Sequence, residues 1–377
     1  MSGIYIHIPF CKKACHYCDF HFSTNVSRQQ EMVDAIIQEL NLRVNYLNSN
    51  EISSIYFGGG TPSLLSAHQL NQIMEAVRGH FSFAENIEIT LEANPDDINQ
   101  ENLSTFISAG VNRLSLGIQS FHEPILKWMN RAHDQKQAEN ALNLINASAI
   151  NNYSVDLIYG IPISNEHLLA QDLDKFISFQ PKHISAYCLT IEPDTVFGNL
   201  QSKGKFVGIS EEKSAQQFLQ VKETLEKVNY HQYEVSNYSQ AGYESFHNTN
   251  YWNRVNYLGL GPGAHSFNGN SRQYNIANNA LYMKSISQNE LATTIETLSR
   301  NDKVNEYLMT SLRTIKGLSL TVLKKEYGLD ILDTYAEEIA RLQKANYLVL
   351  TTDQRIKLTT EGLLIADQIA ADLFLVD

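Results

Sequence analysis

The sequence predicts an α/β protein that begins with a partial (β/α)6 barrel. Up to about residue 191, short apolar runs rich in Ile, Leu, Val and Tyr alternate with amphipathic helical segments, which is typical of parallel strands joined by crossover helices. The strands are predicted at residues 3–8, 53–57, 86–91, 112–116, 154–159 and 183–190. Six repeats are fewer than the eight of a complete (β/α)8 barrel, so we expect a gap that admits a large substrate.

The helices between these strands are predicted from their capping residues. Two segments, starting at Ser27 and Ser66, have the spacing of a capping box, in which a serine is followed three residues later by Gln. Short polar side chains favour N-caps, and glycine favours the residue after a helix. The N-caps are therefore predicted at Ser27, Ser66, Asn99, Asp134 and Asn165, and a helix end at Gly110.

The rest of the chain changes character twice. We expect a barrel over residues 1–200, an α+β extension rich in Tyr, Asn and Gly over 201–300, and a separate unit over 301–377. In this last unit, helical patterns near 305–314, 320–327 and 331–345 precede two short β runs, 347–350 and 355–358, and a final helix starts near Thr359. Helices followed by a hairpin resemble a winged-helix domain.

Composition and charge limit the function classes. The net charge of −12 argues against a protein that wraps nucleic acid, because phosphate binding needs clustered Lys and Arg. No run of eighteen apolar residues suggests a membrane span, and the N-terminus lacks the pattern of a secretory signal. We therefore expect a cytoplasmic protein that does not bind nucleic acid.

Three of the four cysteines lie in the loop that follows the first predicted strand. The spacing Cys11-x3-Cys15-x2-Cys18 predicts a metal centre rather than a disulfide framework. Three thiolates this close can hold a [4Fe–4S] cluster and leave one iron open, since such clusters normally take four cysteines. The alternative is a zinc ion with His16 or His21 as fourth ligand. Cys188 lies in an apolar run and is predicted to be a core thiol.

The segment from Tyr5 to Cys18, together with Gly58-Gly-Gly-Thr-Pro-Ser63, resembles the radical S-adenosylmethionine (SAM) superfamily. The resemblance implies a [4Fe–4S] cluster on Cys11, Cys15 and Cys18, whose open iron binds SAM. It also implies a set of SAM-binding residues near the ends of successive strands. These are Tyr5, Gly59, Gly60, Thr61, Glu92, Gln119, Arg131 and Asp156.

Within that superfamily the chain is similar to the oxygen-independent coproporphyrinogen oxidase group, and most similar to its HemW-type haem chaperone branch. The oxidase has a further cysteine where this chain has Phe20, and an N-terminal extension that this chain lacks. The segment His247-Asn-Thr-Asn-Tyr-Trp252 matches the HNxxYW haem-binding motif of the chaperone branch. His247 is then an axial haem ligand. The alternative is a hydrogen-bonded core histidine.

The resemblance implies a haem chaperone with three cofactors, namely the cluster, SAM and haem. Its partners are haem-acceptor proteins, respiratory or at the membrane. The alternative function is oxidative decarboxylation of coproporphyrinogen III, so whether the chain is an enzyme stays open, as does the choice between monomer and homodimer. A third reading is a zinc-containing binding protein. The glycine-rich segment 259–265 is predicted to form a tight turn near the site, with His265 as a reserve ligand.

Overall fold

Six parallel strands lie side by side in chain order at the centre of the sheet in a computed structural model that describes residues 2–376. They are β1 (Ser2–Ile8), β2 (Glu51–Gly59), β3 (Ser82–Ala93), β4 (Arg113–Gln119), β5 (Tyr153–Tyr159) and β6 (His183–Cys188). All six predicted strands are confirmed. The main difference is β3, which has twelve residues and extends beyond its predicted bounds at both ends.

The two faces of this sheet differ in chemistry. On β4, Leu114, Leu116 and Ile118 are fully buried in the main hydrophobic core, while the alternating positions carry polar side chains or glycine. Successive side chains of a strand point to opposite faces, so one face packs on the helices and the other forms a polar barrel interior. The sequence predicted strands buried on both faces, and it did not predict that the inner face is polar.

Sixteen helices are found in residues 2–376. Eight belong to the first part of the chain: α1 (Gln29–Leu42), α2 (Ala67–His80), α3 (Gln100–Ala109), α4 (Glu123–Trp128), α5 (Gln135–Asn146), α6 (Glu166–Ser178), α7 (Val196–Ser202) and α8 (Glu211–Glu226). Short 3-10 turns cover Pro62–Leu64 and Pro95–Asp97.

Four of the five predicted N-caps are confirmed. Ser66 and Asp134 form complete capping boxes, and Asn99 and Asn165 accept hydrogen bonds from the first turns of α3 and α6. Gly110 ends α3 in the left-handed conformation, as predicted. The prediction at Ser27 is wrong.

The first helix begins later than the sequence predicted. Its N-cap is Arg28, which makes no side-chain capping bond. The reason is local, because the Asn25 side chain accepts a hydrogen bond from the Ser27 N–H at 3.0 Å and holds Ser27 in a turn. Ser27 therefore does not cap the helix.

The extension adds strands to both sides of the parallel strands. Beyond β6 lie β8 (Asn237–Ser239) and β7 (His231–Glu234), and beyond β1 lie β9 (Tyr257–Leu260), β10 (His265–Phe267), β11 (Ser271–Asn275) and β12 (Thr293–Thr297). β9 runs parallel to β1, and the other added strands pair in antiparallel fashion. The extension also contains α9 (Phe246–Trp252) and α10 (Asn279–Ser287).

The C-terminal residues form a second, smaller hydrophobic core centred on Val304, Leu308 and Leu312. Its helices are α11 (Arg300–Leu312), α12 (Leu320–Tyr327), α13 (Ile331–Thr334), α14 (Ala336–Lys344), α15 (Thr360–Leu363) and α16 (Ala366–Asp372). A three-stranded antiparallel sheet completes it, with β13 (Leu318–Ser319), β14 (Leu348–Leu350) and β15 (Arg355–Leu358). No helix in residues 2–376 has both the length and the apolar character of a membrane span.

Candidate functional site

A cavity of about 530 Å³ opens at the carboxyl ends of β1–β6 and reaches into the polar barrel interior. Its volume lies within the range of ordinary ligand pockets. The three clustered cysteines line it, together with seven of the eight residues predicted to bind SAM. Those seven are Gly59, Gly60, Thr61, Glu92, Gln119, Arg131 and Asp156. The structure therefore gathers at one edge of the sheet residues that are far apart in sequence, as expected for parallel α/β proteins.

Backbone hydrogen bonds hold the cysteine loop against the end of β2. The Thr61 N–H donates to the Phe10 carbonyl at 2.7 Å, the Gly60 N–H donates to the Ile8 carbonyl at 2.9 Å, and the Cys11 N–H donates to the Ser23 carbonyl at 3.0 Å. A Cβ on Gly60 would lie only 2.6 Å from the Phe10 carbonyl oxygen. The glycine is thus required by the close approach of two backbone segments, where the sequence suggested close approach to a ligand.

The three clustered thiols form no disulfide, so they are available to bind a metal centre. All four cysteines are free. Burial, together with the neighbouring thiols, raises the pKa of Cys11 and raises that of Cys18 to about 11. A bound cationic centre would reverse this effect and favour the thiolates. The donor set of three half-buried sulfurs facing one cavity fits an iron–sulfur cluster with an open iron.

The zinc alternative fits the geometry poorly. His16 Nδ1 contacts the Trp128 carbonyl at 2.9 Å, and His21 Nε2 contacts the Asn279 amide oxygen at 2.7 Å, so each candidate fourth ligand has only its other ring nitrogen left for a metal. A zinc ion lies about 2.3 Å from each sulfur, which requires tightly converging ligands. No three His, Cys, Asp or Glu side chains within residues 2–376 converge closely enough to hold a single ion.

Arg131 joins the cysteine loop to the sheet. Its guanidinium donates to Cys15 Sγ at 3.3 Å, to the Asn94 side chain at 2.6 Å and to the Gly117 carbonyl at 2.5 Å. Among the residues that the structure describes, the buried Arg131 Nε has no acceptor and the buried amide oxygen of Gln119 has no donor. Buried polar atoms without partners are costly, and a polar ligand in the cavity would satisfy both. These residues therefore fit a bound SAM molecule.

Two carboxyl groups in the cavity have perturbed acidities. Burial raises the pKa of Glu92 to about 7, although hydrogen bonds from the Tyr56 hydroxyl at 2.8 Å and the Gly59 N–H oppose the shift. Burial also raises the pKa of Asp156 to about 6. Both groups can hold a proton near neutral pH, which is typical of ligand-binding and catalytic sites.

We expect Glu92→Gln to stabilise the ligand-free protein by about 2–3 kcal/mol at pH 8 and to have little effect at pH 4.5. The folded protein holds the Glu92 proton more tightly than the unfolded chain, whose pKa is near the usual 4.5. The contribution of Glu92 to stability therefore falls as the pH rises from about 4.5 to about 7, and glutamine imitates the protonated form. Urea unfolding of both proteins at the two pH values measures this. A stability difference that stays constant with pH would contradict it.

Tyr5 is not brought to this cavity. Its hydroxyl lies 3.1 Å from His7 Nδ1, and its ring stacks on Tyr56 at 6.1 Å between centroids. Tyr5 thus supports Tyr56, which does line the cavity. The glycine-rich turn 259–265 forms as predicted, with Gly261 and Gly263 at positive φ, but His265 stacks on Tyr274 and does not line the cavity.

His247 lies beneath the cavity, inside the barrel. It is 2% exposed, its ring stacks on Tyr56 at 5.0 Å, and its two ring nitrogens contact the Ser54 and Tyr251 hydroxyls, each at 2.9 Å. This is the arrangement of the hydrogen-bonded core histidine that the sequence left open. In this conformation neither nitrogen is free to bind iron.

Sequence reasoning missed two cavity-lining cations, Lys13 in the cysteine loop and Arg113 in the barrel interior. Arg113 is the first residue of β4, and it lies in the barrel interior with Ser115, Gly117 and Gln119. The period-two alternation of this strand could have indicated Arg113, since apolar residues occupy every second position between them.

Comparisons with known proteins identify the family of this chain. The model of the radical SAM superfamily matches residues 5–176, and that of the HemN C-terminal domain matches residues 298–365. "Heme chaperone HemW" of Lactococcus lactis is 33% identical, with 96% of this chain and 94% of the relative aligned, and that of Bacillus subtilis is 31% identical with 98% of each aligned.

The solved structure of coproporphyrinogen III oxidase (HemN) from Escherichia coli shares the fold. Its TM-score is 0.84 at 22% identity, and the match covers 99% of this chain and 90% of that one. An identity this low supports the architecture alone. The two relatives described above, at 33% and 31% identity, align over almost their whole length. The chain therefore belongs to the HemW family of radical SAM proteins.

Proposed function

We propose that this protein is a haem chaperone that carries a [4Fe–4S] cluster and SAM, binds haem and delivers it to acceptor proteins. The observation that carries the proposal is full-length similarity to relatives named "Heme chaperone HemW", at 31–33% identity in two bacteria. Phe20, 72% exposed at the edge of the cavity, supports this branch, because the oxidase has a cysteine there.

Cys11, Cys15 and Cys18 would hold the cluster, and Gln119, Arg131 and Asp156 would contact SAM. When bound, the cluster and SAM together supply one-electron chemistry. Arg131 positions the cysteine loop through its contacts with Cys15 and the Gly117 carbonyl. Glu92 and Asp156 keep protonatable groups beneath the SAM position, where they can accept hydrogen bonds from hydroxyl or ammonium groups.

His247 is the proposed axial haem ligand, in a form of the protein in which Tyr251 has moved away. Burial lowers the pKa of His247 to about 3, so its imidazole stays neutral and keeps a lone pair for iron at physiological pH. The hydroxyl of Tyr251 lies 2.9 Å from His247 Nε2 and would have to be displaced. Haem binding is thus coupled to a local opening of α9.

We expect His247→Ala to weaken haem binding at least tenfold and Tyr251→Phe to strengthen it, because removing the hydroxyl frees Nε2 of His247. Haem titration of the cluster-reconstituted protein, followed by absorbance, measures both. His265→Ala is the matched control, since this histidine is exposed at the start of β10 and lies outside the cavity. Unchanged haem affinity in His247→Ala would exclude His247 as the ligand.

A second candidate function is anaerobic oxidation of coproporphyrinogen III, which the HemN-like fold and the complete set of cavity residues favour. Product analysis with SAM and a reductant under strict anaerobiosis separates the two functions. Sustained decarboxylation above background would replace the chaperone proposal. We further propose a cytoplasmic protein, with haem acceptors among respiratory or membrane proteins and a homodimer as one assembly state.

A further inference from the structure

Arg113 is a buried cation whose Nε has no hydrogen-bond partner in the part of the chain that the structure describes. The residue is 1% exposed. Its one ion pair within residues 2–376 is a loose contact of 3.8 Å with Glu88. Glu88 already accepts hydrogen bonds from the N–H groups of Phe246 and His247 at 3.0 and 2.9 Å. An incompletely paired guanidinium in the interior is costly, which indicates that a ligand completes its pairing.

The cavity continues down to this guanidinium. Arg113 lines it together with three serines of the inner face, Ser115, Ser154 and Ser185. Such small side chains leave the barrel interior open, where larger ones would fill it. Arg113 pairs with Thr90 in the sheet, and Glu92 lies two residues further along β3. Arg113 is therefore beneath the proposed SAM contacts and faces the same space.

The carboxylate of SAM is not the partner of Arg113. Arg131 is the proposed partner of the SAM carboxylate. It lies at the cysteine loop, where it donates to the Gly117 carbonyl. Gly117 is four residues beyond Arg113 on β4, which corresponds to about 13 Å of strand. The two arginines thus occupy different levels of the barrel, and a second anionic group is needed for the lower one.

His247 lies at the same lower level. Glu88 contacts both Arg113 and the backbone of His247, and Tyr56 packs against the His247 ring while lining the cavity. The other charged groups that line this part of the cavity are the Glu92 and Asp156 carboxyls, which lie further along their strands, and the positive charge of Arg113 acts on Asp156. A ligand whose metal is bound at His247 would bring its peripheral groups near Arg113.

We infer that Arg113 binds a propionate-type carboxylate of the tetrapyrrole. The inference rests on the proposed haem-binding function and adds the residue that recognises the ligand's acidic side chain. The planar guanidinium suits a carboxylate, since it can donate two parallel hydrogen bonds. The loose pair with Glu88 leaves those donors available.

The test is a thermodynamic cycle between protein and ligand. Haem and haem dimethyl ester are titrated into the cluster-reconstituted full-length protein and into Arg113→Gln. Wild type is expected to bind haem about tenfold to a hundredfold more tightly than the ester, and Arg113→Gln to bind both equally and as weakly as wild type binds the ester. Arg113→Lys keeps the positive charge but lacks the two parallel donors of the guanidinium. It is expected to discriminate between haem and the ester to an intermediate degree.

Arg78→Gln is the matched control, because Arg78 donates to the Ala109 carbonyl outside the cavity. It is expected to discriminate as wild type does. The inference is overturned if wild type binds haem and the ester equally, or if Arg113→Gln still prefers haem by the wild-type factor. Wild-type protein that binds neither ligand would instead overturn the proposed haem function itself. Should Arg113→Gln fail to fold, the wild-type and Arg113→Lys titrations decide.

Discussion

Replacement of Cys11, Cys15 or Cys18 with Ser is expected to remove the iron–sulfur centre, and Cys188→Ser is expected to retain it. A [4Fe–4S] cluster with only three protein ligands is not retained by two. The loss of one thiolate should therefore reduce iron and acid-labile sulfide from about four of each per chain to near zero. The three sulfurs belong to one short loop facing the cavity.

Cys188 is a demanding control because it lines the same cavity. It lies at the end of β6, against Gly160, and burial raises its pKa. A serine there changes the lining of the cavity but removes no proposed ligand. Iron and sulfide analysis of anaerobically reconstituted protein, with the absorption spectrum, measures all four variants. A Cys188→Ser protein without the cluster, or a Cys15→Ser protein that keeps it, would show that the ligand set is wrong.

The sequence was most informative where structure is local or periodic. Each of the six parallel strands was predicted from a short apolar run, Ser66 was identified as a cap from a spacing of three residues, and Asp134 from its short polar side chain. The cysteines were likewise identified from their spacing within eight residues. The exception, Ser27, lost its capping role to a turn at Asn25. Competing local hydrogen bonds of this kind are decided by small energies that a pattern does not reveal.

What the sequence could not indicate depends on contacts between distant segments. The parallel pairing of β9 with β1 joins Tyr257 to Gly3, and no periodicity marks it. The hydrogen bonds that occupy both ring nitrogens of His247 depend on Ser54 of β2 as well as on Tyr251 of its own helix. The HNxxYW motif indicates which residues occur together, but the availability of a nitrogen for iron depends on those tertiary partners. For the same reason, the strand pattern could place Arg113 on the inner face but could not indicate that its Nε lacks an acceptor among the described residues.

The polar interior links the two proposed ligands. Cys11 and Gly60 lie at the rim, Glu92 and Asp156 below them, and Arg113 at the lower level next to His247. A single column of polar groups would therefore contact SAM above and the tetrapyrrole below. Cluster state and haem binding could influence each other through Tyr56, whose hydroxyl donates to Glu92 and whose ring stacks on His247.

Arg43→Met is expected to destabilise the protein by about 3–5 kcal/mol, the largest effect on stability that we predict. Glu39 lies on α1 and Arg43 caps its C-terminal end; they are 0% and 4% exposed and form an ion pair at 2.9 Å. Arg43 also donates to the Gly259 carbonyl and to side chains of β10 and β11, while Glu39 accepts from the Gly261 N–H at 2.9 Å and the Tyr282 hydroxyl at 2.6 Å. The Arg43–Glu39 ion pair thus connects α1 to the extension through hydrogen bonds.

Methionine fills much of the space of Arg43 but leaves the Glu39 carboxylate buried without a counter-charge, and the loss of a counter-charge accounts for the size of the effect. Arg43→Met combined with Glu39→Gln should therefore be more stable than Arg43→Met alone, because the second change removes the stranded charge. Arg28→Met, which breaks an exposed ion pair with Glu31 at the start of α1, should leave stability unchanged. Urea unfolding measures the total effect, and amide hydrogen exchange in β9–β11 should show the loss of protection there first. Equal stability of Arg43→Met and Arg28→Met would mean that the extension is held by its apolar contacts alone.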